Sequence, residues 1–430
     1  MVTYGGEGLL KGMIRSIKSL VDYHLRFNAY FKAQLKEVLD QKQWSADRLA
    51  DRQNELFLAT VQRAIRYSPF YRKRYAEYGV DLDNIRSVED IGQLPVITKN
   101  DVRDHRDEIY IGHRWIKTQG HTSGTSGTPL VVYRDYRSTV KEGAYLWAQR
   151  ALFGFHPGMK VISLRGTLDR SVMKYYDRYT NCLHLSSFNL RAEHAAWYYE
   201  QIQRFKPHAI LAYPSSVEIL ANFLREKNLA VNVPYIFTSS EQVYEHQRTK
   251  VEQVFNTTII DWYGNAERSI ALEQREDGCY YELPLYSVNE YEEQRVLTTG
   301  LTTYAFPLIR YQVDDVIVPD TSRPCHRIEA IMGRHDDVLT LPDGTRVGRI
   351  GAIFLDVAGL ELAQIHQHQP ERFSVHLVVN KEFSRQSMEK IRSGLRRKAG
   401  DQLDYDVVYV QEEDIVRTQA GKFKLVISKV

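Results

Sequence analysis

Short apolar segments alternate with helical segments between residues 161 and 260, and this pattern constrains the fold more than any other feature of the chain. The predicted strands are Val161–Leu164, Ala209–Ala212, Tyr235–Thr238 and Thr258–Ile260. Helices are predicted around Ala192–Phe205, over Val217–Glu226 and up to about Phe255. Strands that alternate with helices of roughly ten residues or more form a sheet with helices packed on its faces. We therefore predict an α/β fold.

Polar and aromatic residues follow three of these strands. Tyr213, Ser240 and Tyr263 each come soon after a predicted strand ends. In open α/β sheets, ligands bind at the carboxyl ends of the strands. The sequence therefore predicts a binding site at this edge of the sheet.

A run rich in glycine and hydroxyl residues precedes the predicted sheet. It consists of Thr122, Ser123, Gly124, Thr125, Ser126, Gly127 and Thr128. Glycine lets the backbone approach a ligand closely, and successive N–H groups of such a turn bind anions. The run lacks the Gly-Lys pair of the common P-loop and leads into an extended Val131–Tyr133 segment rather than a helix. Its composition suits a loop that binds a polyphosphate.

The chain changes character towards its C-terminus. After Gly278 the pattern becomes β-rich, and after Asp336 it predicts a small α+β module. The module's predicted elements are strands at Val338–Thr340, Phe373–Val379, Asp406–Val410 and Leu425–Ile427, and a helix over Arg385–Ala399. A chain of 430 residues is long enough for two domains. We predict an N-terminal domain of residues 1–335 and a C-terminal domain of residues 336–430.

Composition excludes several classes of protein. The net charge is +3 without a concentrated basic run, so no nucleic-acid partner is predicted. Three widely separated cysteines predict no disulfide framework, and this fits the reducing cytoplasm. The absence of about 18 consecutive apolar residues predicts no membrane span. Lysines and arginines interrupt the stretch from Leu9 to Leu35, so no cleavable signal is predicted. Within this stretch the helical spacing of apolar residues from Met13 to Val21, with basic residues on the other side, predicts a basic amphipathic helix. Packing against its own domain is favoured, and contact with a membrane surface stays open, as does a homodimer.

Five motifs in order resemble those of the adenylate-forming superfamily of acyl-CoA synthetases, adenylation domains and luciferases. The resemblance is strongest to the phenylacetate-CoA ligase branch and its capsular-polysaccharide biosynthesis relatives. The motifs are the glycine–hydroxyl run, Tyr263-Gly264-Asn265-Ala266-Glu267, the segment from Pro307 to Asp315, Gly333-Arg334-His335-Asp336-Asp337 and Arg417-Thr418-Gln419-Ala420-Gly421-Lys422.

This resemblance implies a fold and an activity. The fold would be a large N-terminal domain that binds ATP and the acyl group, and a smaller, mobile α+β C-terminal domain that carries the catalytic lysine. The protein would activate a carboxylic acid as an acyl-adenylate and transfer the acyl group, with CoA as the favoured acceptor. An amine or a carrier protein as acceptor, in surface-polysaccharide or secondary-metabolite biosynthesis, stays open. A nucleotide-binding pseudoenzyme is a further alternative, although such a protein needs neither Glu267 nor Lys422.

The resemblance also implies roles for individual residues in binding ATP. The glycine–hydroxyl run would hold the β- and γ-phosphates. Ser240 and Glu241 match the segment along the adenine edge, and Tyr263, next to Gly264, would stack on the adenine. Asp315 would accept hydrogen bonds from the ribose hydroxyls, with Asp314 as the alternative, and Arg334 would lie near the ribose or phosphates.

The catalytic roles follow from the same resemblance. Lys422 would bridge the carboxylate and the α-phosphate, and Glu267 would coordinate Mg²⁺. Tyr213, Pro214 and Ser215 would border the acyl pocket. Asp336 would be the hinge about which the small domain turns between the two half-reactions.

Overall fold

The computed structural model describes most of the chain. The described residues are 19–21, 23–113, 117–121, 130–168, 171–292, 295–313, 315–320, 327–334, 339–342, 346–347, 350–354, 357–399, 404–417 and 423–428. Among them, no helix combines the length and apolar character that crossing a bilayer requires.

Side-chain caps mark the start of several of the α-helices. Asn28, Ser45 and Asp135 each accept a hydrogen bond from a backbone N–H in the first turn of a helix. The helices are α1 Ala29–Gln41, α2 Ala46–Tyr67, α3 Pro69–Glu77, α4 Lys99–Asp104, α5 Arg106–Ile109, α6 Tyr136–Leu152, α7 Ala195–Phe205, α8 Pro214–Glu226, α9 Glu245–Phe255 and α10 Arg385–Ala399.

The strands form one large sheet and several small ones. They are β1 Thr118–His121, β2 Val131–Arg134, β3 Val161–Leu164, β4 Lys174–Asp177, β5 Cys182–Leu185, β6 Ala209–Ala212, β7 Tyr235–Ser239, β8 Thr258–Gly264, β9 Ala271–Gln274, β10 Tyr280–Glu282, β11 Ser287–Glu292, β12 Arg295–Gly300, β13 Tyr311–Val313, β14 Asp315–Pro319, β15 Arg327–Arg334, β16 Leu339–Thr340, β17 Arg346–Val347, β18 Leu360–Gln369, β19 Arg372–Val379, β20 Asp404–Tyr409 and β21 Val426–Ser428.

The large sheet has the strand order β14-β15-β10-β9-β8-β7-β6-β3-β5-β4. Its centre, β5-β3-β6-β7-β8, is parallel, and antiparallel strands flank it on both sides. Helices α7, α8 and α9 connect successive parallel strands, as expected for strands with apolar residues on both faces. This alternation of parallel strands and helices confirms the predicted α/β fold. It also places the carboxyl ends of the parallel strands at a common edge of the sheet.

The C-terminal part of the chain has a core of its own. Strands β20-β19-β18-β21 form a four-stranded sheet. Helix α10 packs on this sheet through Ile391 and Leu395, which are buried with Phe373 and Val375 of β19. This is the small α+β unit that the sequence predicts.

Two predicted elements need correction. The helical spacing of Leu49, Leu56, Val61 and Ile65 predicts one helix over residues 45–79, but the chain forms α2 and α3 with a break at Ser68-Pro69. Proline has no N–H for a helical hydrogen bond, and the Ser68 hydroxyl instead accepts a hydrogen bond from the Tyr71 N–H at the start of α3. The ten-residue strand β18 was not predicted at all. Residues 1–18, which hold the first part of the predicted basic helix, lie outside the described residues.

Candidate active site

The predicted site residues meet at the carboxyl edge of the parallel strands. Strands β6, β7 and β8 are in register, with Ala212 opposite Thr238 and Thr238 opposite Asp261. The residues that follow these strands are therefore neighbours in space. Tyr213 leads into helix α8, whose first residues are Pro214 and Ser215. All three residues predicted for the acyl pocket lie at this edge.

Ser240 lies directly after β7 and has an unusual backbone. Its φ is 74°, in the left-handed region that non-glycine residues rarely adopt, and its side chain is exposed. Such strain costs about 1–3 kcal/mol and occurs mostly at functional sites. The surrounding structure therefore holds Ser240 in a fixed position at the edge where the sequence predicts the adenine.

Three predicted nucleotide-binding residues come together beside β8. The Tyr263 hydroxyl donates a hydrogen bond to Asp315 Oδ2 at 2.7 Å. Asp315 in turn pairs with Arg334 across the antiparallel strands β14 and β15. The residues predicted for adenine, ribose and phosphate thus belong to three different motifs, yet they are direct neighbours.

Gly264 ends strand β8 beside Tyr263. A Cβ atom at this position would lie 3.1 Å from Trp262 Nε1 and 3.6 Å from the carbonyl oxygen of Ile270. A larger residue would have to displace the indole ring, so packing against Trp262 accounts for the glycine.

Glu267 is connected to a further motif. Its Oε1 accepts a hydrogen bond from the Tyr311 hydroxyl at 2.9 Å. The neighbouring Arg310 forms a bidentate ion pair with Glu290 and donates to the carbonyls of Gly92 and Leu94. The Pro307–Asp315 motif thereby anchors the segment before Ile97 and presents Tyr311 to Glu267.

Two arginines that the sequence analysis did not select lie near Glu267. Burial, followed by the charge of Arg268, lowers the pKa of Arg134 to about 10, while Glu142, Tyr286 and Glu267 act in the opposite direction. Arg134 also donates a hydrogen bond to the carbonyl of Ala266. It ends β2, which pairs with β1, so the glycine–hydroxyl run connects the two strands of this hairpin. In the sequence, the only indication of Arg134 was that a basic residue follows shortly after the glycine–hydroxyl run.

Glu241 connects the N-terminal part of the chain to the C-terminal part. Its carboxylate accepts hydrogen bonds from the Ser215 N–H at 3.0 Å and the Phe423 N–H at 2.9 Å. Arg417 lies beside it and donates to Ser215 Oγ at 2.9 Å. Burial raises the pKa of Glu241, and these donors together with Arg417 oppose that rise. These hydrogen bonds are with protein groups of Ser215 and Phe423, and the predicted contact with adenine stays a prediction.

A second acidic group lies at the same junction. Burial, followed by the charge of Glu218 on α8, raises the pKa of Glu412 to about 8. Arg417 and Lys250 oppose this rise. Nearby, Arg225 of α8 forms an ion pair of 3.0 Å with Glu361 of β18. The junction is therefore built from charged groups that belong to both parts of the chain.

Several predicted residues lie outside the described residues. They are Thr122, Ser123, Gly124, Thr125, Ser126, Gly127, Thr128, Asp314, Asp336 and Lys422. For Arg334 only the backbone is described. Phe423, which follows Lys422 in the sequence, is described, and its N–H contacts Glu241 near the carboxyl edge of the sheet.

Comparison with known proteins agrees with this arrangement. A family model described as the CapK C-terminal domain matches residues 339–429. Protein CapK of Staphylococcus aureus is 22% identical over 449 residues, covering 98% of this chain and 97% of that protein. Phenylacetate-coenzyme A ligase of Escherichia coli (strain K12) is 26% identical over 333 residues, covering 69% of this chain and 74% of that protein. These relatives confirm the resemblance to the adenylate-forming superfamily that the motifs indicate.

The fold of this chain is also similar to that of solved structures. The crystal structure of 2-hydroxyisobutyryl-CoA ligase in the postadenylation state, in complex with 2-HIB-AMP, has a TM-score of 0.65. It is 16% identical in sequence and the match covers 90% of each chain. In sequence, the chain is similar to CapK and the phenylacetate-coenzyme A ligases, the branch that the motifs resemble most strongly.

Sequence reasoning missed one further residue of this candidate site. Asp261 of β8 is buried, and it accepts hydrogen bonds from Thr238 Oγ1 at 2.5 Å and the Tyr280 hydroxyl at 2.7 Å. Burial raises its pKa, and these two hydrogen bonds oppose the rise. Asp261 thus ties β8 to β7 and β10 two residues before Tyr263. Its partners are distant in sequence, so no local pattern could reveal them.

Proposed function

We propose that this protein activates a carboxylic acid with ATP as an acyl-adenylate and then transfers the acyl group to the thiol of CoA. The observation that carries the proposal is the meeting of separate motifs at one edge of the sheet, where Tyr263 contacts Asp315 and Tyr311 contacts Glu267. Relatives in the same branch are named phenylacetate-coenzyme A ligases, which supports both the reaction and the acceptor.

The nucleoside would bind between Tyr263, Ser240 and Asp315. The Tyr263 ring offers a face for the adenine, and its hydroxyl holds Asp315 Oδ2 at 2.7 Å. The second oxygen of Asp315 would accept a ribose hydroxyl. Base and ribose are adjacent in ATP, so direct contact between these two side chains supports the assignment of Asp315 rather than Asp314.

The phosphates would lie beside the hairpin of β1 and β2. The glycine–hydroxyl run would contribute backbone N–H groups, and Arg134 and Arg268 would add positive charge near Glu267. The donor chemistry fits Mg²⁺, which prefers oxygen ligands and is commonly held by one or two carboxylates together with substrate phosphates. Glu267 would supply that carboxylate, since the Tyr311 hydroxyl fixes its position. Bound Mg²⁺ would neutralise charge on the phosphate oxygens.

The chemistry would proceed in two steps. A carboxylate oxygen of the substrate attacks the α-phosphorus, the bond to the β-phosphate oxygen breaks, and pyrophosphate leaves. Lys422 would neutralise charge between the carboxylate and the α-phosphate, which is the largest single contribution in such reactions. The CoA thiol then loses its proton and attacks the acyl carbon, and AMP leaves.

We propose that residues 336–430 form the domain that alternates between the two steps, with Asp336 as the hinge. The contact of Phe423 with Glu241 supports docking of this domain in the first step, because it brings the neighbour of Lys422 to the carboxyl edge. The charged junction around Arg417 and Glu412 suits a contact that must also open.

The free thiols of Cys182 and Cys279 agree with the cytoplasm as the place where the protein acts.

A second candidate differs only in the acceptor. The match to CapK covers 98% of the chain, whereas the match to phenylacetate-coenzyme A ligase covers 69%. This difference favours an acceptor other than CoA, either an amine or the thiol of a carrier protein. The first half-reaction would be the same.

Carboxylate-dependent exchange of labelled pyrophosphate into ATP tests the proposal. A panel of carboxylates should contain at least one that supports exchange, and Glu267→Gln should require more Mg²⁺ for the same rate. Glu276→Gln, a change of an exposed glutamate, is the matched control and should behave as the wild type. ATP binding without exchange on any carboxylate would instead identify a pseudoenzyme. Addition of CoA to an active pair then decides between the two acceptors.

A further inference from the structure

Two arginines lie beside the predicted acyl pocket, and neither has a counter-charge among the residues that the structure describes. Arg150 comes from the last turn of α6, and Arg165 directly follows β3. Leu164 is level with Ala212 in the parallel pairing of β3 and β6, so Arg165 is level with Tyr213, the first residue of the predicted pocket. A cationic group therefore stands where the acyl part of the substrate is expected.

Arg150 is deeply buried, with only 4% of its surface exposed. Its guanidinium carbon lies 4.8 Å from the ring centroid of Trp147 on α6 and 5.6 Å from that of Phe237 on β7. The group is thus held between helix α6 and the sheet by aromatic faces. Arg165 is half-buried and lies on the same side, because both arginines influence Cys182.

Neither guanidinium forms a hydrogen bond or an ion pair within the part of the chain that the structure describes, and the Nε atoms of both are buried without a partner. The nearest acids are engaged elsewhere. Asp261 accepts from Thr238 and Tyr280, and it acts on Arg165 only at a distance. Burial raises the pKa of the Cys182 thiol to about 12, so this group is neutral.

Two neighbouring cations in a low-dielectric site are unfavourable. Burial and the charge of Arg165 lower the pKa of Arg150 to about 9, yet the side chain stays protonated at neutral pH. Leaving such charges uncompensated is costly, and proteins retain them where a ligand supplies the opposite charge. Guanidinium groups bind carboxylates and phosphates through paired N–H donors.

We propose that the acyl substrate carries a second acidic group, a carboxylate or a phosphate, which binds to Arg150 and Arg165 while the first carboxylate is adenylated. This inference rests on the proposed function and names the substrate class of that site. Both Arg165 and Glu241 act on the Tyr213 hydroxyl, so the second acid would bind on the Arg165 side of Tyr213.

The test compares substrates that differ only in the second acid. Pyrophosphate exchange is measured with dicarboxylates from succinate to suberate, with the monocarboxylates of equal length, and with the corresponding phosphono-carboxylates. Wild-type protein should prefer a diacid of one length by about 10- to 100-fold in kcat/KM, the range expected for hydrogen bonds between charged groups. Preference for the dicarboxylate or for the phosphono-carboxylate identifies which acid the site takes.

The variants locate the effect. Arg150→Met and Arg165→Met should abolish the preference for the diacid while the KM for ATP and the rate with monoacids are kept. Arg165→Lys should restore part of the preference because it keeps the charge. Arg204→Met, which removes an exposed arginine paired with Glu200, should change nothing. Equal loss with monoacids and diacids, or a wild type that prefers monoacids, overturns the proposal.

A thermal-shift measurement separates this inference from the proposed function. Wild-type protein with ATP should be stabilised by the diacids, and Arg150→Met and Arg165→Met should not be. If exchange fails on every carboxylate but this difference persists, the anion site stands and the proposed reaction fails. If exchange succeeds and the diacids stabilise both proteins equally, the reaction stands and the anion site is refuted.

Discussion

Replacement of Glu241 by glutamine tests how the two parts of the chain dock. Glutamine keeps the size of the side chain and one acceptor oxygen. It loses the charge that faces Arg417 and the second acceptor, so the Ser215 N–H and the Phe423 N–H can no longer both be satisfied. We expect the docked arrangement to be weakened.

The structure sets the size of the effect. A hydrogen bond to a charged group contributes about 1.5–3 kcal/mol, and each ~1.4 kcal/mol is a factor of ten in an equilibrium. The ratio of docked to undocked protein should therefore fall about 10- to 100-fold. Arg225→Met is the matched control, because the Arg225 side chain in the Arg225–Glu361 pair is 48% exposed. Such pairs contribute at most about 1 kcal/mol, so the ratio should change less than about fivefold.

Fluorescence transfer between dyes on exposed residues of the two domains measures the docking ratio. Pyrophosphate exchange should fall with this ratio, while the KM for ATP should stay unchanged. An unchanged docking ratio combined with a raised KM for ATP would refute the reasoning and return Glu241 to the predicted role at the adenine edge.

Four shorter predictions follow. Because the docked state holds Glu412 protonated with a pKa of about 8, docking should weaken as pH rises from the ordinary carboxyl range through about 8. Glu412→Gln should remove this dependence, and fluorescence transfer between pH 6 and 9 checks it. Tyr263→Phe frees Asp315 from its 2.7 Å hydrogen bond and should raise the KM for ATP by about 2- to 10-fold at nearly constant kcat, in steady-state assays. Lys422→Ala should lower pyrophosphate exchange by ~10²-fold or more while equilibrium dialysis finds ATP binding intact. Asp336→Pro should keep exchange but slow acyl transfer, since proline fixes φ near −65° at the proposed hinge; equal loss of both half-reactions would place the hinge elsewhere.

The parallel centre of the fold could be predicted because its strands are short runs of apolar residues. Val161–Leu164 and Ala209–Ala212 are almost entirely buried on both faces, so their patterns are unambiguous. Strand β18 was missed because its sequence, LELAQIHQHQ, places histidine and glutamine in alternation. The ring of His366 stacks on that of His376 in β19, with 4.1 Å between the ring centroids. Such a contact between two strands leaves no pattern in the local sequence.

Some residues of the candidate site could likewise be predicted from the sequence, and others could not. Tyr263, Glu267 and Asp315 could be selected because each belongs to a motif with fixed spacing. The contact of Tyr263 with Asp315 joins residues 52 positions apart, and that of Glu267 with Tyr311 joins residues 44 positions apart, so only the fold reveals them. Arg150 and Arg165 belong to no motif at all. A buried arginine without a partner looks in sequence like any other arginine.

Isotope transfer tests the central claim most directly. The carboxylate that best supports pyrophosphate exchange is prepared with ¹⁸O in both carboxyl oxygens and incubated with the enzyme, ATP and the acceptor. Attack of this carboxylate on the α-phosphorus predicts AMP that carries one ¹⁸O atom, detected by mass spectrometry. Unlabelled AMP, or ADP with the label in inorganic phosphate, would contradict an acyl-adenylate.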